Sequence, residues 1–399
     1  MPLHRPAGFI RPGFDPLKNP DAPTSVSASG GDASASVSFT APSNVGGSAI
    51  TAYYAVSNPD GITGTAASSP VSVTGLTNGT AYTFNVWALN TYGPGVWSAA
   101  SGSVTPAAAR AVFMGGYAAT FSNVIDYVQV STTGNATSFG SLFQAQCYSA
   151  GSASSTLAVD SGGLKTGGTY TSAASYITIA TTGDSTNFGN LSSARSGVGG
   201  CGNSTYALAA GGFSNPTYYA TIDRMTYASL GSATNYGSLS VNRYWPAAAS
   251  SPTRAVFMWG SNGTTVIDYI AIASGGTATD WGTSANAHAQ GGSAFGSSTV
   301  GVFNWYSENS TSLTYATTGV KNDFGSSSST GIGLGSASSN TRGLIAGGDT
   351  QLTNIRYTAI GTTGSFAAFG SLTVGRSTTG ACNACLLYTS DAADDTPCV

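Results

Sequence analysis

Short runs of alternating apolar and polar residues extend along nearly the whole of this chain, broken by Gly, Asn, Ser and Pro. Val37 and Phe39 form one such set, and Tyr82, Phe84, Val86 and Ala88 form another. A period of two turns one side of an extended strand toward a core. No stretch of useful length repeats every 3.6 residues, so no amphipathic helix is predicted. Small residues, β-branched residues and 20 tyrosines reinforce the strand reading. The pattern predicts an all-β protein.

After residue 106 the alternation is organised into a recurring unit. Each copy carries an apolar run, a Gly-Gly, a variable loop, a run such as Ile267-Asp268-Tyr269, a Thr-Thr-Gly turn and an aromatic-Gly pair. That pair falls at Phe139-Gly140, Phe188-Gly189, Tyr236-Gly237, Trp281-Gly282, Phe324-Gly325 and Phe369-Gly370, at intervals of 43 to 49 residues. Strand-like units of this length are the signature of a β-propeller. Six anchors predict six four-stranded blades. The first copy lacks a first strand of its own, and Gly375 to Ala381 has the composition to supply it from the far end. A missing seventh blade is the competing expectation.

These repeats resemble kelch repeats, which carry a Gly-Gly, a later aromatic and an arginine near the start of the next unit. Here the Gly-Gly pairs are Gly115-Gly116, Gly162-Gly163, Gly211-Gly212 and Gly347-Gly348, degrading to Trp259-Gly260 and Asn304-Trp305. Phe or Tyr mostly stands where kelch units have Trp, so the likeness is to degenerate kelch-like propellers over about 107–384.

Residues 23–106 have the strand and turn spacing of a seven-stranded sandwich. Gly75-Leu76 through Tyr82, with Ala88-Leu89-Asn90-Thr91-Tyr92-Gly93, Ser98 and Pro106, resembles a fibronectin type III domain. Phe39 replaces the usual Trp of its second strand. The resemblance implies a spacer or adhesive module, and no Arg-Gly-Asp is present.

Two segments break this grammar. Residues 1–22 carry five prolines and predict an extended arm, either a docking arm or a disordered leader. No signal peptide is read in them. Residues 385–399 lack the repeat pattern, and Cys385 to Asp395 resembles translated sequencing adapter, as found in assembled environmental DNA; this tail is read as non-native.

Composition narrows the chemistry. Charged residues are 7% of the chain and the net charge is −3, so no nucleic-acid partner is expected. No apolar run is long enough for membrane insertion as a helix. The 5 cysteines form no disulfide framework, and Cys382-Asn383-Ala384-Cys385 lacks partners for a metal site. Copper oxidases of the kelch type need two histidines, whereas the propeller region holds only His288. The single Glu308 and the repeated Asp126, Asp223 and Asp268 offer no paired carboxylates; equivalent places in different repeats suit a structural role. No cofactor is expected and no enzyme activity is predicted.

The loops after Gly-Gly and the connections between repeats should share one face. Candidate ligand contacts there are Tyr117, Tyr170, Phe213, Tyr218, Tyr219, Trp305 and Tyr306. To these are added Arg195, Arg243 and Arg376, each four residues after the leucine of its repeat. Aromatic faces suit glycans, and arginine would suit acidic sugars. The arginines have a second reading, as braces between blades. The expectation is therefore a non-enzymatic surface-binding protein, virion-borne or extracellular. Fibronectin modules joined to charge-poor repetitive β domains resemble phage tail or virion surface proteins. Its partners would be a host-surface glycan or protein, with other virion proteins held through the arm. The alternatives are an extracellular bacterial carbohydrate-active enzyme or accessory module, and a ligand-free virion decoration protein.

Overall fold

The computed structural model describes residues 17–261, 264–285, 288, 292–305, 309–327, 332–377 and 380–383. Among them every regular element is a strand. The chain divides into two compact units, Met1–Ala108 and Ala109–Val399. Most of the predicted arm and the whole adapter-like tail lie outside the described residues.

The first unit is a sandwich. One sheet orders Thr24–Gly31, Ser34–Thr40 and Val71–Thr74; the other orders Thr63–Ala66, Ala52–Asn58, Thr83–Asn90 and Gly93–Pro94. The alternating set points inward as expected: Val37, Tyr82, Phe84, Val86 and Ala88 are all buried in one hydrophobic cluster. Phe39 fills the place of the absent tryptophan by packing on Tyr53, with ring centroids 4.7 Å apart. Tyr82 is the corner: its hydroxyl accepts from the Thr77 N–H at 3.1 Å and donates to Asp60 at 2.8 Å. Lys18 and Asp21, at the end of the predicted arm, hydrogen-bond to Gly46 and Asn44 and so belong to this unit.

The second unit contains six four-stranded antiparallel repeat sheets, here numbered I to VI in chain order. Sheets II to VI are sequential, as in Ala150–Ala153, Leu157–Ser161, Ala173–Thr178 and Thr186–Asn190 of sheet II. Sheet III also takes a parallel edge strand, Gly276–Thr277, from the following repeat. Sheet I differs in origin. It pairs Arg110–Met114, Val124–Gln129 and Thr137–Ser141 with Gly380–Asn383 from the far end of the chain, in the register Gly380↔Met114. The sheets remain separate, and none closes on itself into a barrel.

The recurring aromatic-Gly pair has a structural cause. In all six sheets the third and fourth strands slip register at the same place, so that Ile125 faces Gly140 but Asp126 faces Ser138. The skipped residue is the motif aromatic. An extra residue bends its strand and re-aims a side chain. Here it sends Phe139, Phe188, Trp281, Phe324 and Phe369 into clusters shared with a neighbouring repeat sheet. The glycine that follows backs onto the turn of the next sheet. A Cβ on Gly140 would stand 2.2 Å from the Gly183 carbonyl oxygen, and one on Gly370 would stand 2.0 Å from that of Gly134. Only a residue without a side chain permits that approach.

Six hydrophobic clusters fill the spaces between sheets. Five join consecutive sheets; the sixth joins sheet VI to sheet I through Leu344, Phe369, Phe113 and Val128. The first strands, made of small residues such as Ala-Gly-Ser-Ala and Gly-Gly-Cys-Gly, touch in the same order. The series returns from Leu334–Ser338 through Gly380–Asn383 to Ala150–Ala153.

Candidate functional site

Where sheet VI leads to sheet I, sheet II to sheet III and sheet III to sheet IV, a connection runs beside the loop that follows Gly-Gly or its equivalent. Tyr117 bridges to Ser377, Phe213 to Ser196, and Tyr244 to Ser261. Connections and Gly-Gly loops are therefore neighbours, as the repeat pattern predicts. The Gly-Gly pair makes the turn possible: Gly211 and Gly212 have φ of 68° and 112°, a region that favours glycine.

The three arginines do not reach this surface. Arg195, Arg243 and Arg376 have 0% exposure and pair with Asp223, Asp268 and Asp126, themselves at 0%. The distances are 3.0 Å for Arg195–Asp223 and 2.9 Å for Arg376–Asp126. Each arginine lies in a connection and its aspartate in the sheet that the connection enters. Arg195 also donates to the Gly211 carbonyl at 2.8 Å, and Arg376 to Phe113 at 3.2 Å. The connection's own polar groups complete the aspartates: Ser192 N–H and hydroxyl bind Asp223, and Thr373 binds Asp126. Burial pulls the Arg243 and Arg376 guanidiniums below their ordinary pKa, and the partner carboxylates oppose it. Of the two readings of these arginines, the brace matches this geometry; a ligand would have to displace a buried ion pair to touch them.

Sheet II lacks the pair. Gln146 occupies the arginine position and donates to Asp160 at 2.5 Å. Asp160 has 0% exposure, and burial pushes its carboxyl up to about 7, with the nearby Ser149 hydroxyl and the Gln146 hydrogen bond opposing. In sheet V the equivalent residue is His288, stacked on Trp305 at 4.4 Å and 19°.

The aromatic candidates fall into groups. Phe213 gathers Tyr170 at 6.1 Å and Tyr218 at 4.8 Å, joining loops of sheets II and III. Tyr219 packs under the Arg195 guanidinium at 5.6 Å and shares a 2.8 Å hydrogen bond with Ser214. Tyr117 meets its own loop partner, Phe121. Trp305 belongs to a separate group with Trp259 and His288. Tyr306 lies outside the described residues, as does Glu308. Tyr117 and Tyr218 are the most exposed of the set, at 38% and 37%.

The sequence reading missed three residues that extend the Phe213 group. Tyr244 lies 5.7 Å from Phe213, Trp245 lies 5.6 Å from Tyr244, and Tyr148 meets Trp245 edge-on at 4.9 Å and 85°. All three are half-buried. Tyr148 and Trp245 occupy one repeat position, two residues after Gln146 and Arg243, where the intervening copy has Gly197. Their φ values are 58°, 61° and 65° in chain order. A bulky side chain in that conformation costs about 1–3 kcal/mol. Aligning the copies on the leucine of each repeat would have exposed this Tyr–Gly–Trp series. The backbone links the three in turn: Gly197 N–H donates to the Tyr148 carbonyl at 2.7 Å, and Trp245 N–H to the Gly197 carbonyl at 2.6 Å.

Polar groups border the cluster. Burial first, then Cys147, Asp349 and Tyr117, raises the Tyr148 phenol above its ordinary pKa. Burial likewise raises Tyr244, with Tyr148, Cys147 and Tyr170 adding and a Ser196 hydrogen bond opposing. Asp349 follows Gly347-Gly348 in the sheet VI loop, and burial raises its carboxyl too. Among the described residues no three His, Cys, Asp or Glu side chains gather where they could hold a metal ion, and no helix is long and apolar enough to cross a membrane.

Comparison with known proteins bears on the first unit. The fibronectin type III domain family matches residues 21–103, and that segment is a fibronectin type III domain. Among solved structures, the crystal structure of domains A168-A170 from titin is similar, with 27% identity over 22% of this chain and a TM-score of 0.21. The chain spans 32% of that structure's length. No curated protein matches.

Proposed function

We propose that residues 109–383 are a six-bladed, kelch-like β-propeller acting as a non-enzymatic binding domain, with the fibronectin type III domain as its spacer. Three features support the architecture. The sheets share hydrophobic clusters in an order that returns to its start; the first sheet takes its first strand from the far end; and Arg376 pairs with Asp126 across the chain's length. Closing such a series covers the faces that the end sheets would otherwise leave bare.

The binding reading rests on one observation. Aromatic side chains from the loops and connections of successive sheets meet in a half-buried group around Phe213, and Tyr218 and Tyr219 line a hollow with Thr221, Asn235, Ser238 and Asn242. Such surfaces suit a glycan or a protein. The repeated aspartates, the best candidates for acid–base work, are buried in ion pairs with arginines. A charge-poor repeat domain behind a fibronectin module fits a phage tail or virion surface protein that recognises a host-surface glycan or protein, and the N-terminal arm would hold other virion proteins.

The full chain should bind whole host cells from its source community, and Phe213→Ala should weaken that binding about tenfold or more, as expected for an aromatic anchor. Equal binding by wild type and variant, or none by either, would remove this face from the account. Proteomics of purified particles tests the virion setting directly.

A further inference from the structure

We infer that Tyr148 and Trp245 are the floor of a binding site for an uncharged pyranose, with the Asp349 carboxylate as its polar edge. The inference deepens the proposed glycan-binding face and rests on it.

The fold does not require these side chains. Gly197, at the same repeat position between them, makes the same left-handed turn and the same backbone link. A Cβ on Gly197 would stand 1.9 Å from the Tyr244 ring, so Tyr244 fills the space this copy leaves vacant. Where the turn is made with glycine it is unstrained; with Tyr148 and Trp245 it is strained, and strain of this kind concentrates at ligand sites. What the strain gains is position. Two aromatic rings from different connections meet edge-to-face at 4.9 Å, half-exposed, with Tyr244 packed behind Trp245.

The chemistry around them selects the ligand. The apolar C–H face of a pyranose suits an indole or phenol ring, and its hydroxyls need acceptors and donors at the margin. The loops carrying Tyr117 and Asp349 flank the Tyr148 connection: Gly116 N–H donates to the Gln146 carbonyl at 2.7 Å, Tyr117 bridges to Ser377, and Gly348 N–H donates to the Arg376 carbonyl at 3.2 Å. A carboxylate accepts from sugar hydroxyls and repels an acidic sugar. The guanidiniums that would have welcomed sialic or uronic acids are sealed in ion pairs. Neutral hexoses and N-acetylhexosamines are therefore the class, with sialylated and uronic termini disfavoured.

The test uses the full chain on an array of galactose-, glucose-, N-acetylglucosamine-, sialic acid- and glucuronate-terminated glycans, with calorimetry on the hits. Wild type should bind neutral termini. Trp245→Gly and Tyr148→Gly should each lose about tenfold or more in affinity, while their melting midpoints hold or rise, because glycine relieves the turn. Asp349→Asn should admit acidic termini that wild type rejects. Preference of wild type for acidic glycans, or neutral binding untouched by both glycine variants, would overturn the site. If Phe213→Ala alone abolished that neutral binding, the wider face would stand without it. Binding to host cells through protein, with a blank array, would also sink this inference and leave the wider face standing. No cell binding at all would remove both.

Discussion

The two units solve the same problem, how to bury one face of a β-sheet, in opposite ways. The fibronectin domain packs two sheets on each other and has a single core, in which Val37, Val71, Tyr82 and Phe84 all meet. The repeat unit has six smaller cores, each belonging to two sheets and to neither alone. A sandwich is complete when its strands are complete. A series of sheets is complete only when its ends are covered, since each bare face would expose half a cluster. The second unit thus depends on contacts between residues some 250 positions apart, and on buried charge where the first uses hydrocarbon.

That contrast can be broken most severely by removing residues 372–399, which takes away Arg376 and the strand Gly380–Asn383. Calorimetry should then lose the repeat unit's transition while the fibronectin transition persists; survival of both would show that closure is dispensable. Arg376→Met is a finer version. It strands Asp126 in a site with no exposure, and breaking a buried pair costs about 3–5 kcal/mol. The double variant Arg376→Met with Asp126→Leu should recover most of the loss, because replacing both members by apolar residues is often near neutral. In the first unit Phe84→Ala should cost about 3–5 kcal/mol, confined to the fibronectin transition; a matching fall in the second transition would show the units to be coupled.

The smallest expected effect concerns pH. The Asp160 carboxyl stands at about 7 in the folded chain, against an ordinary 3.8. The folded state therefore keeps a proton that the unfolded state releases. The Asp160 contribution to stability should be fully present below about pH 4, fall as pH rises toward 7, and level off above it, with a total cost of no more than about 4 kcal/mol. Asp160→Asn should flatten that slope in the repeat transition and raise its midpoint at pH 8. A repeat transition whose midpoint is the same at pH 5 and pH 8 in the wild type would contradict the assignment.

Local pattern explains why much of this was legible. The alternation at Tyr82 to Ala88 names its own buried face, and the Thr77–Tyr82 bond of the tyrosine corner spans six residues of sequence. The aromatic-Gly anchors located all six sheets because a bulge and a close backbone approach demand those two residue types wherever they recur. The arginines were located but not placed. Spacing puts them in the connections, yet whether a guanidinium faces solvent or a buried aspartate depends on the sheet that follows. Tyr148 and Trp245 were passed over because a left-handed bulky residue leaves no mark in a hydrophobicity pattern; only the glycine in the sister copy betrays the position.

The amino-acid sequence by itself determined the all-β class, the fibronectin domain and the sixfold repetition, since each follows from contacts within a few dozen residues; the short extra strands such as Phe213–Ser214 and Thr217–Tyr218 left no mark in it. Tertiary structure alone decided that Arg195, Arg243 and Arg376 meet Asp223, Asp268 and Asp126, that the strand from the far end joins the first sheet in the register Gly380↔Met114, and that Tyr148 and Trp245 meet from separate connections. Those facts depend on where distant segments come to rest, and the free energy that selects them belongs to the packed whole.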